Sequence, residues 1–193
     1  QNKTFTGWNL ANAGAGISAG DDDYRKAGAE VVSAAAEVFA RADMIVKVKE
    51  PQAIERKMLR ENQVLFTYLH LAADRDQTGD LMDSGAVCIA YETVTAPSGG
   101  LPLLAPMSEV AGRLSIQAGG HCLERSAGGM GVLLGGVPGV APTRVVILGA
   151  GVVGTNAAQM AVGTGAQVVV IDRSTDALRR IDAMFNGRAM TVF

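Results

Sequence analysis

The sequence predicts an α/β fold with two parallel-sheet domains, and three observations support this. Short runs of β-branched and aliphatic residues alternate along the chain with alanine-rich or amphipathic stretches, the pattern of strands alternating with helices. The chain has 24 glycines, is 48% hydrophobic and has few aromatic residues, which suits packed layers joined by tight turns. Segment 128–142, with six glycines and two prolines, is the expected hinge between a first domain at 1–127 and a second at 143–193.

Charge and hydropathy exclude several functional classes. The net charge is −2 and the charges are interspersed, so we expect neither nucleic-acid binding nor a polybasic membrane patch. No apolar run approaches the roughly 18 residues of a membrane helix, and the first residues lack the pattern of a signal peptide. Cys88 and Cys122 have neither metal nor redox spacing, which indicates reduced thiols in a cytoplasmic protein.

The elements of the first domain follow from local patterns. The first dozen residues, with Trp8, show no period and are left unassigned, and 13–20 is a loop of small residues. The acidic run 21–23 is predicted to cap a short helix, because carboxylates satisfy its free N–H groups; a metal interpretation lacks partners. The elements predicted after this point are helix 33–42, strand 44–48, helix 54–60, strand 64–69, helix 75–84 and strand 87–91.

Two charged or titratable side chains follow successive strands of this domain. Alternation places Lys47 and Lys49 on one face of the first strand, which Pro51 stops, and His70 ends the next strand. Parallel sheets bind ligands at the carboxyl ends of their strands, so Lys49 and His70 are candidate site residues. The alternative is a solvated lysine and a histidine that caps a neighbouring helix or turn.

A proline-bounded linker at 101–106 leads into a long helix predicted at 107–126. Ser108 is expected at or near the N-cap of this helix. His121 lies inside the helix, where we expect a half-buried or surface position rather than a catalytic one. The hinge 128–142 follows.

The second domain opens with a glycine-rich turn. A buried strand at 145–148 is followed by Gly149, Gly151 and Gly154, which fit G-x-G-x-x-G. In that motif the first glycine permits a tight turn, the second lets backbone approach a pyrophosphate, and the third allows close packing of helix on strand. A structural turn is the alternative, but the flanking strand and helix favour a dinucleotide site that includes Val152 and Val153.

The residues after the turn complete this pattern. Helix 155–162 would present its N-terminal N–H groups to the pyrophosphate, and a second strand at 167–171 ends in Asp172. An acid at that position accepts hydrogen bonds from ribose hydroxyls and repels a 2′-phosphate, which favours NAD over NADP. Arg173 weakens this preference, because arginine accommodates the phosphate.

Helix 175–185, with its apolar side chains on one side, and a strand at 189–193 follow Asp172. A complete Rossmann fold has two βαβαβ halves. The chain is therefore expected to supply the adenosine and pyrophosphate half of the site, with the nicotinamide side supplied by residues beyond Phe193.

Several long motifs together resemble alanine dehydrogenase. They run in order along the chain, and they are VKVKEP at 46–51, FTYLHLAADR at 66–75, IAYETV at 89–94, LPLLAPMSEVAGR at 101–113, GVLLGGVPGV at 131–140 and VVILGAGVVGTNAA at 145–158. The same superfamily includes the NAD-binding part of the proton-translocating transhydrogenase, but the strings LAPMSEVAGR and TYLHLAA are more similar to alanine dehydrogenase.

The resemblance implies roles for individual residues. Lys49 would hold the carboxylate and carbonyl oxygen of pyruvate or alanine, and His70 would hydrogen-bond the substrate oxygen and transfer protons. Ser108 would contact the cofactor and Asp172 the adenosine ribose. The implied reaction is the reversible NAD-dependent deamination of L-alanine to pyruvate and ammonia by a cytoplasmic homo-oligomer.

The chain also departs from this family. The family's K-E-x-x-x-x-E-x-R-V motif, whose arginine binds the substrate carboxylate, does not precede Ala13, and its catalytic aspartate lies beyond Phe193. Met130 and Cys122 stand where an arginine and a tyrosine are expected. We therefore expect a central fragment with impaired activity. The alternatives are a non-catalytic NAD(H)-binding module related to the transhydrogenase α subunit, and a truncated product that does not fold stably.

Overall fold

The computed structural model describes residues 7–193. Its contacts divide the chain into two compact units between Leu101 and Pro102, which is earlier than the expected hinge at 128–142. The long helix therefore groups with the glycine turn. The physical reason is the close approach of two helices at Gly112, where a Cβ atom would lie 2.3 Å from the carbonyl oxygen of Val153.

The first unit contains two parallel sheets. Strands β1 and β2 pair with each other, and β3, β4 and β5 form a sheet in that order. Its elements are β1 (Trp8–Leu10), α1 (Asp21–Lys26), β2 (Glu30–Val32), α2 (Ala35–Arg41), β3 (Met44–Val46), α3 (Ala53–Arg56), β4 (Val64–Thr67), α4 (Arg75–Asp83) and β5 (Val87–Ala90).

The core of the first unit lies between the three-stranded sheet and its helices. Leu65 and Leu69 are almost fully buried at its centre and pack with Phe39 and Leu81. Leu65 lies inside β4, so the alternation of that strand turns one face into the core. The C-terminal end of β4 leads to His70. The packing of β4 in this core therefore fixes the position of the candidate site.

The N-terminal part of the first unit holds elements that the sequence did not reveal. In β1 the indole N–H of Trp8 donates to Glu30 of β2 at 3.0 Å, and the guanidinium of Arg41 lies 4.8 Å from the ring centroid. The predicted capping by the acidic run is confirmed: α1 begins at Asp21, and the Asp23 carboxylate accepts the N–H of Gly20 at 2.9 Å.

The second unit holds one parallel sheet in the order β6-β7-β8. Its core consists of small and branched side chains from the sheet and its helices, including Ala158, Ala161, Val170 and Ile181. The apolar face predicted for the last helix is confirmed by burial. The elements are α5 (Ala105–Leu123), β6 (Arg144–Leu148), α6 (Val152–Gly163), β7 (Gln167–Ile171), α7 (Thr175–Phe185) and β8 (Ala189–Val192).

Three of the predicted boundaries that differ from the structure bear on candidate site residues. Strand β3 ends at Val46, so the alternation argument for Lys47 and Lys49 does not apply to them. Strand β4 ends at Thr67, and His70 instead adopts a left-handed backbone with φ of 47°. Helix α5 has its N-cap at Leu104, so Ser108 lies within the helix and does not cap it. The helices of the described residues include none long and apolar enough to cross a membrane.

Candidate nucleotide and substrate sites

The glycine turn between β6 and α6 depends on the absence of side chains. Gly149 has φ of 96°, a left-handed conformation that disfavours any other residue. A Cβ at Gly154 would lie 1.8 Å from the carbonyl oxygen of Gly149, so the first turn of the helix can pack on the loop only when residue 154 is glycine. A Cβ at Gly151 would meet nothing within 4 Å, which leaves open space beside the backbone at the N-terminus of α6.

Asp172 fixes this turn from the end of β7. One carboxylate oxygen accepts the N–H of Ala150 at 2.6 Å, and the other accepts the N–H of Ser174 at 2.7 Å. The hydrogen bond from Ala150 and then that from Ser174 hold the pKa of the Asp172 carboxyl below its ordinary value. Each carboxylate oxygen can accept more than one hydrogen bond, so an ionised Asp172 keeps capacity for ligand hydroxyls.

A cavity of about 780 Å³ in the second unit brings most of the predicted cofactor residues together. This volume lies within the range of small-molecule sites. Asp172 and Arg173 are not part of its lining, although Asp172 contacts the turn itself. The predicted residues that line it are Ser108, Gly149, Gly151, Val152, Val153 and Gly154.

Lys47 and Lys49 have different environments in the first unit. The ammonium of Lys47 forms an ion pair with Glu55 of α3, and both side chains are largely buried. Lys49 is exposed, and among residues 7–193 its ammonium has no ion-pair partner. Of the two lysines, Lys49 is therefore the one available to bind an anion.

The histidine after β4 is held from two sides. Its backbone N–H donates to the carboxylate of Glu92 at 2.6 Å, and Glu92 also accepts the N–H of Leu69 at 3.1 Å. Its Nε2 atom lies 3.3 Å from an oxygen of Glu50, and its ring stacks on Tyr68 with centroids 5.9 Å apart. A left-handed non-glycine residue persists only where its surroundings enforce it, and these contacts do so for His70.

Opposing effects act on the pKa of the Glu92 carboxyl. Burial, the largest of them, raises its pKa, but the N–H donors of His70, Glu92 itself and Leu69 favour the charged form. The net result is a pKa below the ordinary value, so Glu92 is a carboxylate at neutral pH. A negative charge therefore lies within hydrogen-bond distance of the backbone N–H of His70.

The structure brings Lys49 and His70 to the same edge of the sheet, where they line different cavities. Lys49 lines a cavity of about 710 Å³ together with Trp8 and Tyr91. His70 lines two smaller cavities of about 370 and 290 Å³, one with Glu92 and the other with Glu50. The link between them is Glu50, which follows Lys49 in the chain and contacts the His70 ring.

Sequence reasoning missed both Glu50 and Glu92. Each follows a strand of the three-stranded sheet, Glu50 after β3 and Glu92 after β5. The available signal was an acidic residue that follows the end of one strand, opposite a histidine that follows the neighbouring strand. The three strand ends β3, β4 and β5 thus bring a lysine, a histidine and two carboxylates to one edge.

The fold and these sites define a parallel α/β protein with a Rossmann-type glycine turn, as the sequence predicted. A model of the "Alanine dehydrogenase/PNT, N-terminal domain" matches residues 11–111, and one of the "Alanine dehydrogenase/PNT, C-terminal domain" matches residues 115–193. The chain belongs to the alanine dehydrogenase/PNT family.

Individual relatives agree with this assignment. The chain is 57% identical to an alanine dehydrogenase of Halomonas elongata over 95% of the chain and 49% of that protein. It is 56% identical to an alanine dehydrogenase of Mycobacterium tuberculosis over 94% of the chain and 49% of that protein. The chain thus spans about half the length of these relatives, and the resemblance to alanine dehydrogenase is confirmed.

Solved structures give the same result. An L-alanine dehydrogenase superposes with a TM-score of 0.83 at 52% identity, covering 97% of this chain and 52% of that one. A transhydrogenase from Sinorhizobium meliloti superposes with a TM-score of 0.74 at 25% identity, covering 98% of this chain and 55% of that one. The predicted fold class is confirmed, and the family implies a nicotinamide nucleotide as cofactor.

Proposed function

We propose that this chain carries substrate-binding groups and the adenosine half-site of an NAD-dependent L-alanine dehydrogenase, which interconverts L-alanine with pyruvate and ammonia. The observation that carries the proposal is one edge of the three-stranded sheet, where Lys49, whose ammonium has no ion-pair partner among residues 7–193, and a firmly held His70 follow the neighbouring strands β3 and β4. In this proposal the first unit is the substrate domain and the second unit the nucleotide domain.

The second unit supports the nucleotide part of the proposal. The open backbone at Gly151 and the N-terminus of α6 suit a pyrophosphate, with Val152 and Val153 in the first turn of the helix. Ser108 faces the same cavity. The carboxylate of Asp172 would accept ribose hydroxyls and repel a 2′-phosphate, which favours NAD, while Arg173 beside it reduces the preference. When bound, NAD supplies the hydride acceptor.

The first unit supports the substrate part. A lysine ammonium without a partner is suited to a carboxylate, and it stabilises negative charge that develops on a carbonyl oxygen. His70 would hold or accept a proton at the substrate oxygen, because an imidazole ring has nitrogens that can donate and accept hydrogen bonds. Glu50 at Nε2 and Glu92 at the backbone N–H fix the ring and the loop that presents it. We infer further that the enzyme works as a cytoplasmic homo-oligomer, as the family resemblance implies.

A fluorescence titration with NADH, run beside NADPH, tests the nucleotide half. We expect saturable binding that prefers NADH and weakens at least tenfold in Asp172→Ala, about 1.4 kcal/mol of binding free energy. Arg179→Ala is the control, because that exposed side chain pairs with Asp176 of the same helix, α7. Equal binding of NADPH, or no binding by the folded chain, would contradict the nucleotide assignment.

Alanine-dependent formation of NADH tests the reaction. We expect impaired but measurable turnover from the chain alone, and none from His70→Asn, a variant chosen because asparagine tolerates a left-handed backbone. Complete absence of turnover at saturating alanine, with NADH affinity intact, would instead support a second candidate: a non-catalytic NAD(H)-binding module. The structural similarity to a transhydrogenase, at a TM-score of 0.74, is the observation that favours this alternative.

A further inference from the structure

Thr67 is a fully buried polar residue at the last position of β4, with 0% of its surface exposed. Its hydroxyl lies 2.9 Å from the carbonyl oxygen of Lys49 and 3.1 Å from that of Val48. One hydroxyl proton is therefore shared between two consecutive carbonyl groups of the loop that follows β3.

This contact begins where the backbone pairing of β3 with β4 ends. The ladder proper stops at Val46 opposite Phe66. Two backbone bonds continue it, from Lys47 N–H to Phe66 at 3.2 Å and from Tyr68 N–H to Val48 at 3.3 Å. Within residues 7–193, the carbonyl of Lys49 receives its hydrogen bond from the Thr67 hydroxyl alone.

The peptide that this hydroxyl holds joins two charged residues of the loop, Lys49 and Glu50. Lys49 lies on one side of the peptide and Glu50 on the other, and Glu50 contacts Nε2 of His70 at 3.3 Å. Pro51, fully buried, follows and fixes the chain beyond. Thr67 is thus bonded to the one peptide whose orientation sets the directions of both the Lys49 ammonium and the Glu50 carboxylate.

A core-filling role for Thr67 would not require its hydroxyl. Valine has nearly the same shape, prefers strands equally and avoids the cost of burying a hydroxyl group. That cost is offset only when the hydroxyl is hydrogen-bonded. The two roles therefore differ in what they require: packing needs the methyl group, whereas holding the Lys49 loop needs the oxygen.

We propose that Thr67 is a positioning residue, whose buried hydroxyl orients the Lys49–Glu50 peptide so that Lys49 and His70 act on the same substrate carboxylate and carbonyl group. This inference rests on the proposed function for the substrate, but the local orientation can be measured without it. Thr67 does not contact the substrate; it acts through Lys49 and Glu50.

The test compares three variants of the full chain. Thr67→Val removes the hydroxyl and keeps the shape, and Thr67→Ser keeps the hydroxyl and removes the methyl group. Thr164→Val is the control, because its hydroxyl also donates to a carbonyl, that of Ala161 at 2.8 Å, in the second unit. Amide ¹H–¹⁵N spectra report the Lys49, Glu50 and His70 positions, and calorimetric titration with pyruvate reports substrate affinity.

We expect Thr67→Val to shift the amide signals of Lys49 and Glu50 and to weaken pyruvate binding about tenfold, the effect of one lost hydrogen bond. NADH affinity should stay unchanged. Thr67→Ser should keep the wild-type signals and a pyruvate affinity within about twofold. Thr164→Val should leave the signals of all three residues in place.

Two results would overturn the proposal. One is a folded Thr67→Val variant with wild-type Lys49 and Glu50 signals; the other is a Thr67→Ser variant as altered as Thr67→Val, which would show that packing, not the hydroxyl, matters. Should the wild-type chain bind no pyruvate, the proposed substrate fails, and the amide spectra alone decide whether Thr67 orients the loop.

Discussion

The carboxylate of Asp172 accepts the backbone N–H of Ala150 at 2.6 Å, so the residue that ends β7 closes the glycine turn that follows β6. The same side chain accepts the N–H of Ser174, two residues further along the chain. Asp172 therefore has a structural role without any ligand, and it connects the two strands that flank the proposed nucleotide half-site.

This relationship predicts a pH dependence. The folded pKa of Asp172 is lowered, so its contribution to the free energy of unfolding is complete above the unfolded value, about 3.9. It is lost as the pH falls through the lower folded pKa. Denaturant unfolding at pH 7 and pH 3 should therefore show a smaller acid-induced loss of stability for Asp172→Asn than for the wild type. Equal losses in the two proteins would contradict this role.

The close approach at Gly154 predicts a large difference between two alanine substitutions in α6. Gly154→Ala would place a Cβ against the carbonyl of Gly149 and should cost about 1–3 kcal/mol of stability and most of the NADH affinity. Gly163→Ala, at the other end of the helix, meets nothing within 4 Å and should be neutral or stabilising by up to about 1 kcal/mol. Thermal unfolding with an NADH titration measures both, and similar effects of the two substitutions would disprove the packing argument.

The two lysines of the loop after β3 should separate binding from stability. Lys49→Gln removes an ammonium that has no partner in residues 7–193, so it should weaken pyruvate binding about tenfold or more with little change in stability. Lys47→Gln removes the cation that pairs with the largely buried Glu55, which then keeps only the backbone N–H of Gln52, so it should lower stability by about 1 kcal/mol or more. Calorimetric titration and denaturant unfolding distinguish these effects; the reverse pattern would assign the site to Lys47.

The bonds from His70 and Leu69 to Glu92 predict a local effect of Glu92→Gln. The variant keeps an acceptor but loses the charge and one oxygen, so the amide proton of His70 should move upfield and exchange faster with solvent. Because the pKa of Glu92 is lowered in the folded state, the wild-type protein should lose this contribution only as the pH falls through that value, and the variant should not. Unchanged exchange at His70 in Glu92→Gln would show that the left-handed backbone has another cause.

The glycine turn, its flanking elements and the apolar face of α7 could be predicted from sequence because each depends on neighbours in the chain. Leu178, Ile181 and Phe185 illustrate this: helical spacing alone puts them on one face, and all three are buried. The β1–β2 pair was missed because its strands, WNL and EVV, each include a polar residue among only three positions and so lack an apolar run.

The contacts around His70 could not be predicted for a different reason. Glu92 is 22 residues away and Glu50 lies in another loop, so only the order of the strands brings them together. The division before Pro102 likewise depends on Gly112 packing against α6, a tertiary contact that no local pattern announces.

The position of Trp8 has a spectroscopic consequence. It is the single tryptophan of the sequence, and the three tyrosines, Tyr24, Tyr68 and Tyr91, also precede Leu101. Near-ultraviolet absorption and intrinsic emission therefore come from the first unit, with its indole held by Glu30 and Arg41, while the second unit contributes only phenylalanines. Emission recorded beside far-ultraviolet dichroism, to which both units contribute, will show in one melt whether the first unit unfolds together with the rest of the chain, without any label.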